Sequence, residues 1–284
     1  MYVGRFAPSP TGALHFGSLV AALASWLDAR AAGGRWLVRI EDLDAPRIQA
    51  SAADDILRTL ARLGLEWDGT VAYQSRRLPL YRHALDKLAQ YTYWCACTRR
   101  EIADSSLGLA ADGAQIYPGT CRNGVAPGKS PRALRIRTSG NVAFTDRLQG
   151  RQEQALERDV GDFVVYRVDE QFAYQLAVVV DDAEQGVTDV VRGADLLDST
   201  PRQIYLQQLL RYPQPRYLHI PAAVNAAGEK LSKQTGALPV AKGTADLRRA
   251  LSFLGQPDTE DLGQAVDHWK PTLIAPRRVL DAAP

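Results

Sequence analysis

The stretch Tyr2-Val3-Gly4-Arg5-Phe6-Ala7-Pro8-Ser9-Pro10-Thr11-Gly12-Ala13-Leu14-His15-Phe16-Gly17-Ser18 decides the fold. Residues 2–7 form a short apolar run suited to a strand, and Pro8, Pro10 and Gly12 then turn the chain. From Leu19 onward Leu23, Trp26 and Leu27 recur at helical spacing until Gly33-Gly34 ends the run at about residue 32. A helix starting near Gly17 points its unpaired N–H groups and the positive end of its dipole at the loop, which makes an anion site. Gly17 lets a flat ligand approach the backbone closely. His15 either donates to such an anion or caps the helix.

Outward from this unit, residues 36–40 read as a second strand, 52–63 as a helix stopped by Gly64, 79–90 as another helix and 91–95 as a third strand. Apolar runs at 163–168, 177–180 and 188–192 read as later strands. Thr200-Pro201 opens a helix over 200–211, and 217–220 reads as a further strand. Strands alternating with helices predict an α/β fold with a parallel sheet and helices on both faces. Between 95 and 131 the periodicity fades and Gly, Pro, Ser and Arg accumulate, as in an insertion held by something other than a large apolar core. After Gly243 two short helices, about 245–255 and 259–269, and a Pro-rich tail are expected.

The 284 residues are 46% hydrophobic and 23% charged, enough for a buried core in one large domain with an insertion. Lys and Arg total 34 against 32 Asp and Glu, a net charge of +2 that neither marks a nucleic-acid binder nor excludes local basic clusters from meeting phosphates. No apolar run reaches the ~18 residues of a membrane span, and the N-terminus lacks a charged-then-apolar leader pattern. A cytoplasmic protein is expected. Three cysteines cannot all pair within one chain, and Cys95 and Cys97 are close neighbours, so metal ligation or reduced thiols are favoured over a disulfide framework.

Far downstream, Lys230-Leu231-Ser232-Lys233 lies between Gly228 and Gly236 and supplies mobile positive charge for a bound anion. Either tetrapeptide alone, His15-Phe16-Gly17-Ser18 or this one, is a weak signal. Joined in this order by Arg39-Ile40-Glu41-Asp42-Leu43-Asp44 and Val191-Arg192-Gly193-Ala194-Asp195, they resemble the catalytic domain of glutamyl-tRNA synthetase, a class I aminoacyl-tRNA synthetase, from residue 2 to about 240. The resemblance implies a Rossmann-like catalytic domain over 1–94 and 132–240, an insertion at 95–131 and a short helical segment at 241–284. It also implies that L-glutamate is held by Arg5, Ser9, Glu41, Tyr174 and Arg192. ATP, arriving with Mg2+, falls to His15, Gly17, Ser18, Lys230 and Lys233, with His15 and the two lysines in the catalytic role. Charge logic agrees, because a dicarboxylate with one ammonium needs cationic forks for its carboxylates and an anion for its amine.

The chain ends at Pro284, where full synthetases of this family continue into a helical anticodon-binding region. It also carries Ala194-Asp195-Leu196 where they usually show Glu-Asp-His. Both features are similar to short stand-alone paralogues within the family, which adenylate glutamate without tRNA and transfer it to the queuosine base of tRNA(Asp). That resemblance further implies one structural Zn2+, since Cys95-Ala96-Cys97, 19 residues, Tyr117, three residues and Cys121 match the paralogues' ligand pattern. Two thiolates one residue apart can face a metal from a tight turn, and Cys121 completes three soft ligands. Tyr117 is either the fourth ligand or an aromatic packed over the site. Ser18 and Gln234 depart from the two signatures at positions peripheral to the groups assigned to phosphate, so activity should survive; separately, a monomer is expected. Two other readings remain open: a truncated synthetase charging the 3′ end of tRNA(Glu), and a non-catalytic tRNA- or zinc-binding paralogue.

His83, His219 and His268 stand apart from any metal or nucleophile spacing and are expected to pack or to lie on helix surfaces. Asp181-Asp182 ends an apolar run and reads either as a Mg2+ ligand pair or, more simply, as a turn and a helix cap. Asp42, Asp44 and Arg47 either contact the acceptor or order the loop around Glu41. Arg99, Arg100, Arg122, Arg132, Arg135 and Arg137 are either tRNA-phosphate contacts or solvated arginines.

Overall fold

Along the chain come β1 (Val3–Phe6), α1 (Phe16–Ala31), β2 (Arg35–Ile40), α2 (Ala52–Arg62), β3 (Ala72–Tyr73), α3 (Leu78–Lys87) and β4 (Thr92–Cys95). There follow α4 (Arg99–Ser105), β5 (Ala133–Ile136), β6 (Asn141–Asp146), β7 (Gly150–Ala155), α5 (Leu156–Asp159) and β8 (Val164–Arg167). The remainder is α6 (Tyr174–Glu184), β9 (Asp189–Gly193), α7 (Thr200–Leu210), β10 (Arg216–Ile220), β11 (Ala222–Val224), α8 (Ala245–Phe253), α9 (Leu262–His268) and β12 (Val279–Asp281). The computed structural model describes residues 1–225, 228, 240 and 245–282.

Strands β1, β2 and β3 pair in parallel, and so do β9, β10 and β6. The Thr188 N–H donates to Val3 O at 2.9 Å, which sets β9 beside β1. Helix α1 lies against β1, β2 and β9 and is covered on its other side by α8 and α9, so Leu19, Leu23 and Leu27 are fully buried. Each such side chain withdrawn from water contributes about 1.5–3 kcal/mol. Trp269 fastens this C-terminal layer by donating its indole N–H to Asp28 on α1 at 3.0 Å. A second apolar core forms around α6, α7 and β10, where Leu176, Val180, Ile204 and Leu206 are buried.

The structure departs from the expected architecture in two places. Residues 177–180 lie inside α6, not in a strand. A run of three valines favours neither element decisively, and α6 is buried against α3 and α7, so tertiary packing outweighs the mild helix penalty of branched side chains. The sheet is also mixed: β7 joins β6 antiparallel, and β4-β5-β8 forms a separate antiparallel sheet. Strand β7, Gly-Arg-Gln-Glu-Gln-Ala, has almost no apolar residues and so gives no periodic signal.

Strands β4 and β5 bracket the irregular segment, with Cys95 paired to Ala133. Arg122 docks that segment on the body by donating twice to Asp162, at 2.6 Å each, and Tyr93 adds its hydroxyl to the same carboxylate at 2.5 Å. Gly161 permits the close fit: its φ is +70°, and a Cβ there would lie 2.8 Å from the Tyr117 backbone.

Candidate active site

Four strand ends open on one cleft of about 550 Å3. Arg5 stands near the end of β1, Glu41 just beyond β2, Arg192 near the end of β9, and Ile220-Pro221 where β10 leaves the sheet. Open α/β sheets bind ligands beyond the carboxyl ends of their strands, because the loops there diverge and leave a crevice. Ser9, then His15, Gly17 and Ser18 at the start of α1, and Tyr174 at the start of α6 complete the wall. Every described residue that the sequence assigns to glutamate or ATP therefore lines this cleft. Lys230 and Lys233 lie outside the described residues.

His15 is the N-cap of α1, its Nδ1 accepting from the Ser18 N–H at 3.3 Å while its Nε2 lies 2.9 Å from Ser18 Oγ. A neutral imidazole that accepts at Nδ1 carries its proton on Nε2, so His15 caps the helix through one ring nitrogen and meets the Ser18 hydroxyl through the other, at the wall of the cleft. Ser18 is thus a direct partner of His15 and not peripheral to it.

Arg5 and Arg192 are only 4% and 5% exposed. Arg5 donates from Nε to Asp182 Oδ1 at 3.3 Å, and Asp182 also receives Arg39 Nη1 at 2.7 Å. Arg39 is wholly buried and donates to Glu41 Oε1 at 3.3 Å and Gln185 Oε1 at 2.7 Å. Asp181 faces the same cluster, accepting from Arg77 at 2.6 Å, Tyr81 at 2.8 Å and Gln74 at 2.9 Å. Burial works against ionisation of Asp182, but Arg5 and Arg39 outweigh it and hold that carboxyl below its usual range. Glu41 goes the other way: burial pushes it up, and Arg39 and Arg5 offset only part of this. A ligand ammonium would add positive charge beside Glu41 to that of Arg39 and Arg5. The aspartate pair is neither a turn nor a cap, and with Asp181 taken up by protein donors it does not read as a Mg2+ site.

Arg192 and His219 face each other across the parallel ladder of β9 and β10. Arg192 donates from Nε to His219 Nε2 at 3.0 Å, from Nη1 to the Tyr174 hydroxyl at 3.5 Å and from Nη2 to Thr200 Oγ1 at 2.8 Å. Asp146 holds the far side of the ring, 2.6 Å from Nδ1. Burial, helped by Arg192 and opposed by Asp146, pushes His219 down to about 4.

Comparison with known proteins bears on this arrangement. Residues 2–253 match the family of tRNA synthetases class I (E and Q), catalytic domain. A glutamyl-Q tRNA(Asp) synthetase from Aromatoleum aromaticum is 58% identical, spanning 100% of this chain and 93% of its own length. One from Dechloromonas aromatica is 61% identical over 94% of this chain and 91% of its own. The chain belongs to the glutamyl-Q tRNA(Asp) synthetase group of that class I family. A crystal structure of a glutamate tRNA ligase from Elizabethkingia meningosepticum superposes on this synthetase with a TM-score of 0.83 at 21% identity, covering 99% of this chain and 67% of that one, a likeness of fold.

The synthetase also brings its three cysteines together. The sulfurs of Cys95, Cys97 and Cys121 lie within 4.8 Å of one another, with Cys97 and Cys121 3.6 Å apart. The Tyr117 hydroxyl is 3.4 Å from both Cys95 and Cys97, and accepts the Cys121 N–H at 2.9 Å. Tetrahedral zinc with Zn–S of about 2.3 Å and Zn–O of about 2.0 Å places ligand atoms roughly 3.5–3.8 Å apart. The Cys97–Cys121 and Tyr117–cysteine separations match this spacing, and the three soft sulfurs are a donor set that could hold a metal ion of this kind. Arg135 lies 4.0 Å over the Tyr117 ring and Arg137 donates to Arg122 O at 2.6 Å, so with Arg122 on Asp162 these three arginines tie the insertion to the body, Arg135 buried and the other two half-buried.

Sequence reasoning missed the roles of Arg39 and Asp146, and named Asp182 and His219 without their partners. Signals for two of them were present: a carboxylate pair continuing the apolar run 176–180 demands buried partners, and Arg39 sits inside an apolar strand. Asp42 and Arg47 serve the loop near Glu41, Asp42 accepting from Ser75 N at 2.8 Å and Arg47 donating to Asp44 at 2.5 Å. Among the described residues no helix is long and apolar enough to cross a membrane.

Proposed function

We propose that this chain activates L-glutamate with ATP to glutamyl-adenylate without tRNA, and then transfers glutamate to the queuosine base in the anticodon of tRNA(Asp). The observation that carries the reading is the single cleft that joins Arg5, Arg192 and Glu41 to the N-terminus of α1, in a chain whose relatives over nearly full length are glutamyl-Q tRNA(Asp) synthetases. Arg5 and Arg192 take the two carboxylates, Glu41 takes the ammonium, and Ser9 and Tyr174 set the remaining orientation. The glutamate α-carboxylate attacks the α-phosphorus of ATP and pyrophosphate leaves; a hydroxyl of the modified base then attacks the mixed anhydride and releases AMP. Placement and charge stabilisation carry the rate, so no general base is required.

His15, Gly17 and Ser18 receive the nucleotide at the helix N-terminus, and Lys230 and Lys233 meet the charge that builds on the phosphates. Mg2+ accompanies ATP and screens its phosphates. Cys95, Cys97, Tyr117 and Cys121 hold one Zn2+, which supplies the cross-link that a segment with little apolar core needs. The corresponding organisation is a catalytic domain over 1–94 and 132–240, a zinc-binding insertion at 95–131 and a short helical segment at 241–284, in a cytoplasmic monomer.

The test is incubation with ATP, labelled glutamate and tRNA(Asp), with and without queuosine. Label should appear only on the queuosine-containing tRNA and survive removal of its 3′ end. Label lost with the 3′ end would favour charging of a terminal adenosine, and no glutamate-dependent pyrophosphate exchange would leave a non-catalytic paralogue.

A further inference from the structure

His219 is wholly buried, lies on no surface and belongs to no metal cluster, yet both its ring nitrogens are engaged. We propose that His219, oriented by Asp146, is a positioning residue that fixes the guanidinium of Arg192 for a substrate carboxylate. The inference rests on the assignment of Arg192 to glutamate and concerns how that arginine is held.

Hydrogen-bond counting sets the direction of every contact. Asp146 accepts from the backbone N–H groups of Leu148 at 2.9 Å, Gln149 at 2.8 Å and His219 at 3.1 Å, as an ionised carboxylate does. The contact at 2.6 Å therefore carries the proton on His219 Nδ1, and leaves a lone pair on Nε2. That lone pair meets the Arg192 Nε–H at 3.0 Å, while Thr200 Oγ1, 3.1 Å from Nε2, accepts Nη2 of the same guanidinium. Two acceptors on one edge of the fork fix its plane, and its other edge reaches Tyr174 and the cleft. The opposite tautomer would set two N–H donors against each other. The depressed basicity of the buried ring keeps it neutral, as an acceptor beside a guanidinium must be.

The arrangement is established before any ligand arrives, because the parallel pairing of Arg192 with His219 places both side chains on one face of the sheet. A guanidinium held this way forms its carboxylate bonds with less rotamer freedom to lose.

Glutamate-dependent pyrophosphate exchange tests the proposal with three variants. His219→Leu removes the acceptor and should raise KM for glutamate at least tenfold while leaving KM for ATP within about twofold. His219→Gln, whose amide oxygen can occupy the Nε2 position, should recover most of the loss. In an Arg192→Lys background, His219→Leu should add less than twofold, because its route to substrate is already gone. Equal effects of Leu and Gln, parallel changes in both KM values, or additivity with Arg192→Lys would each overturn the proposal. Nitrogen-15 NMR of the four histidines of the intact protein supplies a readout that needs no variant. The fully buried His219 ring should be protonated at Nδ1, in contrast to His15, which accepts at Nδ1, and a His219 ring protonated at Nε2 would refute the proposal. Wild-type protein without glutamate-dependent exchange would instead reject the underlying assignment of the cleft.

Discussion

Replacing Arg39 by methionine removes the cation on which the cleft wall closes while keeping a side chain of similar reach. The guanidinium is 0% exposed and approaches Asp182 at 2.7 Å, Glu41 at 3.3 Å and Asp181 at 3.6 Å. At charge separations near 4 Å and an effective dielectric near 20, each attraction is worth about 4 kcal/mol. Desolvation of the guanidinium offsets much of that total, and deleting one member of a buried ion cluster costs about 3–5 kcal/mol. The loss should grow with pH. Glu41 is already raised above its ordinary value in the intact protein and titrates higher still without Arg39, and Asp182, held below its ordinary range by Arg5 and Arg39, rises when Arg39 is lost. An acid whose folded pKa exceeds its unfolded one keeps in the fold a proton that it sheds on unfolding, so stability falls as pH climbs from the unfolded value, about 4.3 for Glu, through the folded one. Urea unfolding at pH 8 should show the full loss, a midpoint shift of about 1 M or more at an m-value near 3 kcal/mol per molar. At pH 5.5 the loss should be smaller. A variant within about 1 kcal/mol of wild type at both pH values, or a loss that shrinks as pH rises, refutes the reasoning.

Two further outcomes follow from the assigned sites. Lys233→Ala should lower glutamate-dependent pyrophosphate exchange by about 100-fold or more with its melting temperature unchanged, in line with losing one transition-state cation; wild-type-like exchange contradicts the role. Tyr117→Phe should lower zinc affinity at least about tenfold in a chelator competition, whereas unchanged affinity assigns Tyr117 to packing alone.

The strand–loop–helix at residues 2–32 was legible because each of its parts has a local cause: turn residues at 8–12, helical spacing from Leu19, and Gly33-Gly34 as the stop. Burial of α1 on all sides blurred nothing, since both ends of the helix carry their own signals. Helix α6 was misread because Val178, Val179 and Val180 are buried from several directions, which erases the polar face that marks helical period. The gathering of Arg5, Glu41 and Arg192 on one cleft was legible through the family resemblance that their motifs carry. Its supporting layer was not. Asp182 comes from a helix 143 residues beyond Arg39, and Asp146 from a strand 73 residues before His219, so their pairings exist only after the sheet has assembled. A lone buried histidine looks the same in sequence whether it packs or holds an arginine. The zinc pattern sits between these cases: its spacing was readable, but the docking of its segment through Arg122 and Asp162 was not.

The supporting layer also accounts for the charge of the substrate. Arg5, Arg192 and Glu41 line the cleft, Arg39 and Asp182 pack behind them, and Arg77 balances Asp181. His219 contributes nothing while neutral. L-Glutamate near neutral pH brings two carboxylates and one ammonium, which the proposed assignment sets against Arg5, Arg192 and Glu41. Glutamine, lacking the second carboxylate, would leave a buried guanidinium without its anion, a cost of the same kind as breaking a buried ion pair. On the proposed assignment, selection of the acidic amino acid rests on Arg5, Arg192 and Glu41 together, and each of the two arginines is held by a partner from another element, Asp182 of α6 and His219 of β10.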